Sequence, residues 1–362
     1  MESKEYFDRM QETSEAVDQV IFRSLVHLMT SNRHLYEIVA TLPKRREGRP
    51  KLRAHFARES YEICGGKDPR EWQHLGAAVE LELNAMYYKN QVFDDKAYCS
   101  SSDSRSVIDN WTAESYSRNL AEQSLHRAYF KERDELAKLL CEADQTFNQG
   151  MFQDVTQNTC NNIGHLSFEE QIKLCDQRIY RINASFFEKI ARMGSIVADN
   201  YSPSQYSALA NFGRAWGMAA QIINDTTDFI PPRLQSGTTE KTAEDAYSDV
   251  LHGKMTYPII WMLHNGNEEQ RKYLRRIVDY PGMNRAPNNP GDLEELTKML
   301  IQSGAIDFAK QKAREYRNQA KRSLHEAFSK HDRRFLSSMC VMLDSNRYDK
   351  ALKEFIEKGG PK

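Results

Sequence analysis

Apolar residues recur at intervals of three and four along most of this chain, the period of a helix buried along one face. Val17, Val20, Ile21, Leu25, Leu28, Met29, Leu35 and Ile38 mark a leading helix over 17–39, with a break at Ser31 and Asn32. A second helix is predicted over 72–94, with Leu75, Ala78, Val79, Leu83, Met86 and Tyr87 inward. A charged stretch over 112–140 reads as a helix lying on the surface, 147–155 as a helical turn and 168–198 as a further long helix. The sharpest stripe is Leu209, Phe212, Gly213, Trp216, Ala220 and Ile223, on a helix that Pro231 and Pro232 stop. Helical patterning resumes over 296–300, 309–324 and 336–343. Strand signals are nearly absent, so the fold class is all-α: one domain over 1–362, a single helical bundle around a central cavity.

Composition narrows the function classes. The net charge of −1 lacks the basic excess that nucleic acid or a membrane surface demands of a partner, so no nucleic-acid partner is expected. No apolar run reaches the length of a transmembrane segment, and the opening MESKEYFDRM lacks the pattern of a signal peptide. The six cysteines have no C-x-x-C spacing and read as reduced thiols of a cytoplasmic protein.

The candidate chemistry lies at the end of the sharpest stripe, in QIINDTTDF over 221–229. Asn224 and Asp228 are four residues apart, so their side chains leave one helix face a turn apart, and Asp225 adds a third oxygen ligand. Oxygen ligands in line at a helix end suit a hard divalent cation such as Mg²⁺. Further on, Lys254 follows Gly253, where a cation could close over an anion held by metals.

These residues together resemble the second aspartate-rich region of the trans-isoprenyl diphosphate synthases, the family of farnesyl and geranylgeranyl diphosphate synthases. The family pattern is F-G-x-x-x-G-x-A-x-Q-I-x-D-D-x-x-D, then S-D-x-x-x-G-K-x-T-x-P. Phe212, Gly213, Gly217, Ala219, Gln221, Ile222, Asp225, Asp228, Ser248, Asp249, Gly253, Lys254, Thr256 and Pro258 all fall in place. The resemblance extends over about 30–350, and Arg347 falls among the family's closing helices. It implies that Asp225, Asp228 and Lys254 are catalytic and that Gln221 and Lys254 meet substrate.

Other family elements are partly altered. Placing the family's glutamate on Glu80 puts the first aspartate-rich motif at Asn90-Gln91-Val92-Phe93-Asp94, where amides replace two carboxylates and Asp94 remains. The resemblance then makes Asn90, Asp94, Asn224, Asp225 and Asp228 the metal ligands, with Asp94 also catalytic. The isopentenyl diphosphate element aligns with Gly48-Arg49-Pro50-Lys51-Leu52-Arg53, which keeps Arg53, loses its lysine to Pro50 and leaves Lys51 to substitute. Asp154 fits G-Q-x-x-D without the glutamine, Ile182 and Asn183 stand where the family has lysine and threonine, and no R-R-G element follows the serine-rich loop over 98–105.

The implied activity is that of a class I isoprenoid synthase. Three Mg²⁺ ions bound together with diphosphate would draw pyrophosphate away from an allylic isoprenoid diphosphate of fifteen or twenty carbons, because Ala85 and Met86 do not plug the cavity. Each carboxylate lost to an amide removes an attraction of roughly 4 kcal/mol at 4 Å and an effective dielectric of about 20. The weakened second diphosphate site makes terpene synthase or cyclase chemistry the leading expectation. The alternatives are a chain-elongating prenyltransferase using isopentenyl diphosphate and a non-catalytic regulatory subunit. The resemblance also implies a homodimer, or a heterodimer with an active synthase.

Overall fold

The computed structural model describes residues 3–93, 104–127, 131–229, 247–278 and 290–343. The helices are α1 (Ser3–Ser31), α2 (Arg33–Arg45), α3 (Leu52–Ile63), α4 (Pro69–Phe93), α5 (Ser104–Arg127), α6 (Arg133–Thr156), α7 (Cys160–Ile163) and α8 (Phe168–Ile179). A π-helical turn, Tyr180–Ala184, joins α8 to α9 (Ser185–Ala198). There follow α10 (Pro203–Thr227), α11 (Ser248–Leu251), α12 (Tyr257–Asn265), α13 (Glu268–Val278), α14 (Pro290–Gln302), α15 (Ala305–His325) and α16 (Arg334–Met342). Among the described residues there is no strand, only an isolated bridge between Thr159 and Lys254, and the all-α expectation holds. No described helix is long and apolar enough to cross a membrane.

Two compact units divide the chain. The first comprises Met1–Met151, Ser185–Arg214 and Ala320–Cys340, and the second Phe152–Ala184, Ala215–Gln319 and Val341–Lys362.

In the first unit the expected break in the leading helix is real, because the Asn32 side chain caps α2 by accepting from the Leu35 N–H. Two expectations change. The 112–140 stretch is α5 and the start of α6, separated before Arg133, and α5 is not a surface helix. Ala113, Leu120, Ala121 and Leu125 are buried against α4, and Glu114 is buried because it pairs with Lys89 and Arg118. Tyr87, read as inward, is exposed, whereas Tyr88 turns in and donates toward α2 carbonyls. Two motif glycines owe their identity to close helix crossings. A Cβ on Gly213 would lie 2.5 Å from the Phe187 carbonyl oxygen, and one on Gly194 would lie 2.9 Å from the Tyr61 backbone nitrogen. Neither contact can relax without moving backbone.

The second unit has its own core around Ile179, Ile222, Phe229, Tyr257, Ile260, Leu274, Leu296 and Leu300. Trp261 stacks on Phe308 at 4.3 Å and donates its indole N–H to the Ser303 carbonyl. The π-helical turn inserts one extra residue into the ladder where the family has its lysine and threonine. It directs Asn183 to donate to the Gly217 carbonyl of α10 and Arg181 to donate to Gln153.

Candidate functional site

The second unit brings the C-terminal end of α10 together with the Gly253 turn. The carbonyl of Asp228 accepts the Tyr247 N–H, and its Oδ2 accepts the Asp249 N–H at 3.1 Å. Gly253 adopts φ of +68°, a left-handed conformation that reverses the chain and delivers Lys254. The backbone of Asn158, Thr159 and Cys160 then clamps the turn, with the Cys160 N–H donating to Gly253 and the Met255 N–H to Asn158.

Within this frame the side chains form one chain of charges. Gln221 Nε2 donates to Asp225 Oδ1 at 2.7 Å, and Arg178 pairs with Asp225 Oδ2 and with Asp154 Oδ1, the latter at 3.1 Å. Lys254 Nζ lies 2.8 Å from Asp154 Oδ2 and 3.4 Å from Asp249 Oδ1. Asp154, Arg178, Asp225, Asp228 and Lys254 are buried, whereas Asn224 is exposed. Burial pushes the Asp225 carboxyl up to about 6 against the pull of Arg178. Burial works to lower the Arg178 pKa, but Asp225 and Asp154 outweigh it and hold the guanidinium well above its ordinary value.

Of the residues singled out in the sequence, Asp154, Gln221, Asp225, Asp228 and Lys254 thus come together. Asn224 stands beside them on the exposed side of the same helical turn. Asp249, matched in the motif, joins them, and Arg178 is the addition. Arg178 had a signal, since it shares the buried side of α8 with Cys175 and Ile179, where a guanidinium does not belong without a partner. Its partners lie 24 and 47 residues away in sequence, which is why periodicity alone does not name them.

In the first unit, the turn between α2 and α3 contains Gly48 at φ of +67°. Lys51 is buried there, with Nζ 2.7 Å from Asp18 and donating to the Arg46 carbonyl. Arg46 pairs with Glu80 at 3.0 Å and donates to Asn84, and the other oxygen of Glu80 caps α3 by accepting the Ala54 N–H. Arg53 lies 5.0 Å over the Phe187 ring. Burial lowers its pKa to about 10, with Glu80 opposing and Arg46 adding to the shift. Asn90 and Gln91 occupy the last turn of α4, half-buried, one residue beyond Lys89, whose ammonium is held by Asp144, Asn148 and Glu114. Asp94, residues 98–103 of the serine-rich stretch, residues 230–246 with Pro231 and Pro232, and Arg347 lie outside the described residues, while Ser104 and Arg105, expected in the loop, begin α5.

The donor set can be tested against a resident metal. Both oxygens of Asp225 and both of Asp154 already accept hydrogen bonds from side chains. Among the described residues no three acidic, histidine or cysteine side chains converge on a common point. Each Asp225 and Asp154 oxygen keeps a second lone pair, and in this state Arg178 and Lys254 balance these carboxylates.

Residues 100–299 match the family pattern described as polyprenyl synthetase. The octaprenyl diphosphate synthase of Haemophilus influenzae is 26% identical over 137 residues, 38% of this chain and 38% of that protein. The geranylgeranyl pyrophosphate synthase of Geoglobus acetivorans is 28% identical over 195 residues, 54% of this chain and 53% of that protein. The chain thus spans about half or less of the length of the curated relatives it matches. In fold, it is similar to the geranylgeranyl pyrophosphate synthetase of Pyrococcus horikoshii, with a TM-score of 0.75, 20% identity and coverage of 95% of this chain and 99% of that one. The polyprenyl synthase of Caulobacter crescentus, solved with calcium and isoprenyl diphosphate, gives 0.76 and 19%, covering 94% and 98%. With the family pattern spanning more than half its length, this chain belongs to the polyprenyl synthetase family.

Proposed function

We propose that the protein is a prenyltransferase of the trans-prenyl diphosphate synthase type. It ionises an allylic diphosphate of fifteen or twenty carbons, releasing pyrophosphate, and joins the resulting cation to the double bond of isopentenyl diphosphate, which then loses a proton to give the elongated product. The observation that carries this reading is Lys254, a buried ammonium bracketed by Asp154 and Asp249 on a turn fastened to the motif helix through Asp228. A cation fixed in place before the reaction stabilises a leaving diphosphate without the cost of reorganising water. The relatives named above are chain-elongating synthases, which favours elongation over the cyclisation expected from the sequence. Arg53, in the first turn of α3, and Arg46, at the end of α2, flank the Gly48 turn and are the groups proposed to meet isopentenyl diphosphate.

Mg²⁺ enters in this reading with the substrate, as three ions on the diphosphate, and meets Asn224 and Asp228. The protein is proposed to act as a dimer, which sedimentation would test. The deciding assay supplies allylic diphosphates of ten, fifteen and twenty carbons, with and without isopentenyl diphosphate, and identifies the products. A linear diphosphate five carbons longer than its substrate, formed only with isopentenyl diphosphate, is expected. Pyrophosphate release without isopentenyl diphosphate would establish the cyclase instead. No release from any substrate would establish the non-catalytic subunit.

A further inference from the structure

Arg178 is a fully buried guanidinium on the last turn of α8. Removing such a charge from water is costly unless anions surround it, and Asp154 and Asp225 are both buried beside it. The converse also holds, because two carboxylates buried away from water are costly without a cation beside them. The second oxygen of Asp225 accepts from Gln221, and the second oxygen of Asp154 accepts from Lys254. A metal approaching Asp225 must therefore share an oxygen already engaged by the buried arginine or by the glutamine, against the repulsion of the guanidinium.

We infer that Arg178 is a positioning residue that withholds Asp225 and Asp154 from metal and, through Asp154, sets the place of Lys254. The fixed cation does locally what a bound divalent ion would do, balancing the motif's carboxylates in the absence of substrate. Metal then reaches the motif through the exposed Asn224 and neighbouring Asp228, and only when a diphosphate supplies further charge. Asp225 is thus a structural carboxylate in the motif. This inference rests on the prenyltransferase reading for the identity of the ligand, but its test needs no turnover.

Titration calorimetry of the full chain with Mg²⁺, alone and with inorganic pyrophosphate, separates the possibilities. Arg178→Met, which frees two buried carboxylates, is expected to raise Mg²⁺ affinity without pyrophosphate at least tenfold. Asp225→Asn, which keeps an oxygen for Arg178, is expected to leave Mg²⁺ affinity in the presence of pyrophosphate within twofold. A tenfold or greater loss in Asp225→Asn would make Asp225 a metal ligand and overturn the inference, as would an unchanged affinity in folded Arg178→Met. If circular dichroism shows that Arg178→Met does not fold, the Asp225→Asn result decides. Failure of the product assay together with these binding results would sink the prenyltransferase reading and leave the role of Arg178 standing.

Discussion

The turn that precedes α3 in the first unit and the turn that precedes α12 in the second each present a lysine close after a left-handed glycine, but they use it differently. Lys51 is enclosed by one carboxylate, Asp18, and by the Arg46 carbonyl, so its charge is neutralised locally and it braces the turn. Lys254 is shared between Asp154 and Asp249 in a cluster of four carboxylates and two cations, which leaves net negative charge around it. The two motif lysines therefore sit in different charge environments. What distinguishes the two is whether the surrounding charges already balance it. In the first unit they do, and in the second they leave an excess of anions, which the proposed metal–diphosphate would meet.

The largest expected effect breaks the second cluster. Lys254→Ala and Asp228→Ala should each lower kcat/KM for pyrophosphate release about a thousandfold, the scale of losing a pre-placed electrostatic group. Steady-state kinetics with a phosphate-coupled assay would show it, and a loss under tenfold would remove Lys254 from the reaction.

The counterpart in the first unit should act on stability. Lys51→Met leaves Asp18 buried without its cation and should cost about 3–5 kcal/mol in a denaturant melt. The KM for isopentenyl diphosphate, measured where the variant is folded, should change less than twofold. A tenfold rise would show that Lys51 contacts the diphosphate after all and would erase the contrast between the two turns.

A third test concerns pH, through Glu82 of the first unit, whose carboxyl is pushed up to about 7, chiefly by burial. Because the folded pKa is the raised one, the folded state holds its proton more tightly. The associated stability is complete below the unfolded carboxylate pKa and disappears as the pH rises to about 7. This amounts to up to about 3 kcal/mol for a buried group. Glu82→Gln should flatten the stability profile over that window, and an unchanged slope in chemical denaturation would show that Glu82 is ionised throughout.

The smallest effect sharpens the picture of the exposed amide. Asn224→Asp restores one negative charge beside Asp228 and should raise Mg²⁺ affinity without diphosphate about tenfold, less than the full Coulomb value because the site is open to water. Metal and pyrophosphate should each strengthen the other's binding by one common factor, and that factor should shrink in this variant. Equal affinities in calorimetry would place Asn224 away from the metal.

Much of this protein was legible in its sequence because local periodicity records burial. The three- and four-residue spacing along α10 gave the helix and its buried stripe, and the Asn32 break followed from a residue that caps helices. The fixed spacing from Phe212 to Pro258 located the carboxylates and Lys254, since a helix and a tight glycine turn convert sequence distance into direction. What only tertiary structure decided is which charge meets which. Arg178 and Asp225 are 47 residues apart and Lys51 and Asp18 are 33 apart, and no local rule links either pair. The inward turn of α5 was likewise hidden, because Glu114 reads as a surface residue until Lys89 and Arg118 are seen beside it. A side chain's hydrophobicity is a property of the chain, but compensation of a buried charge is a property of its neighbours, and only the packed fold supplies them.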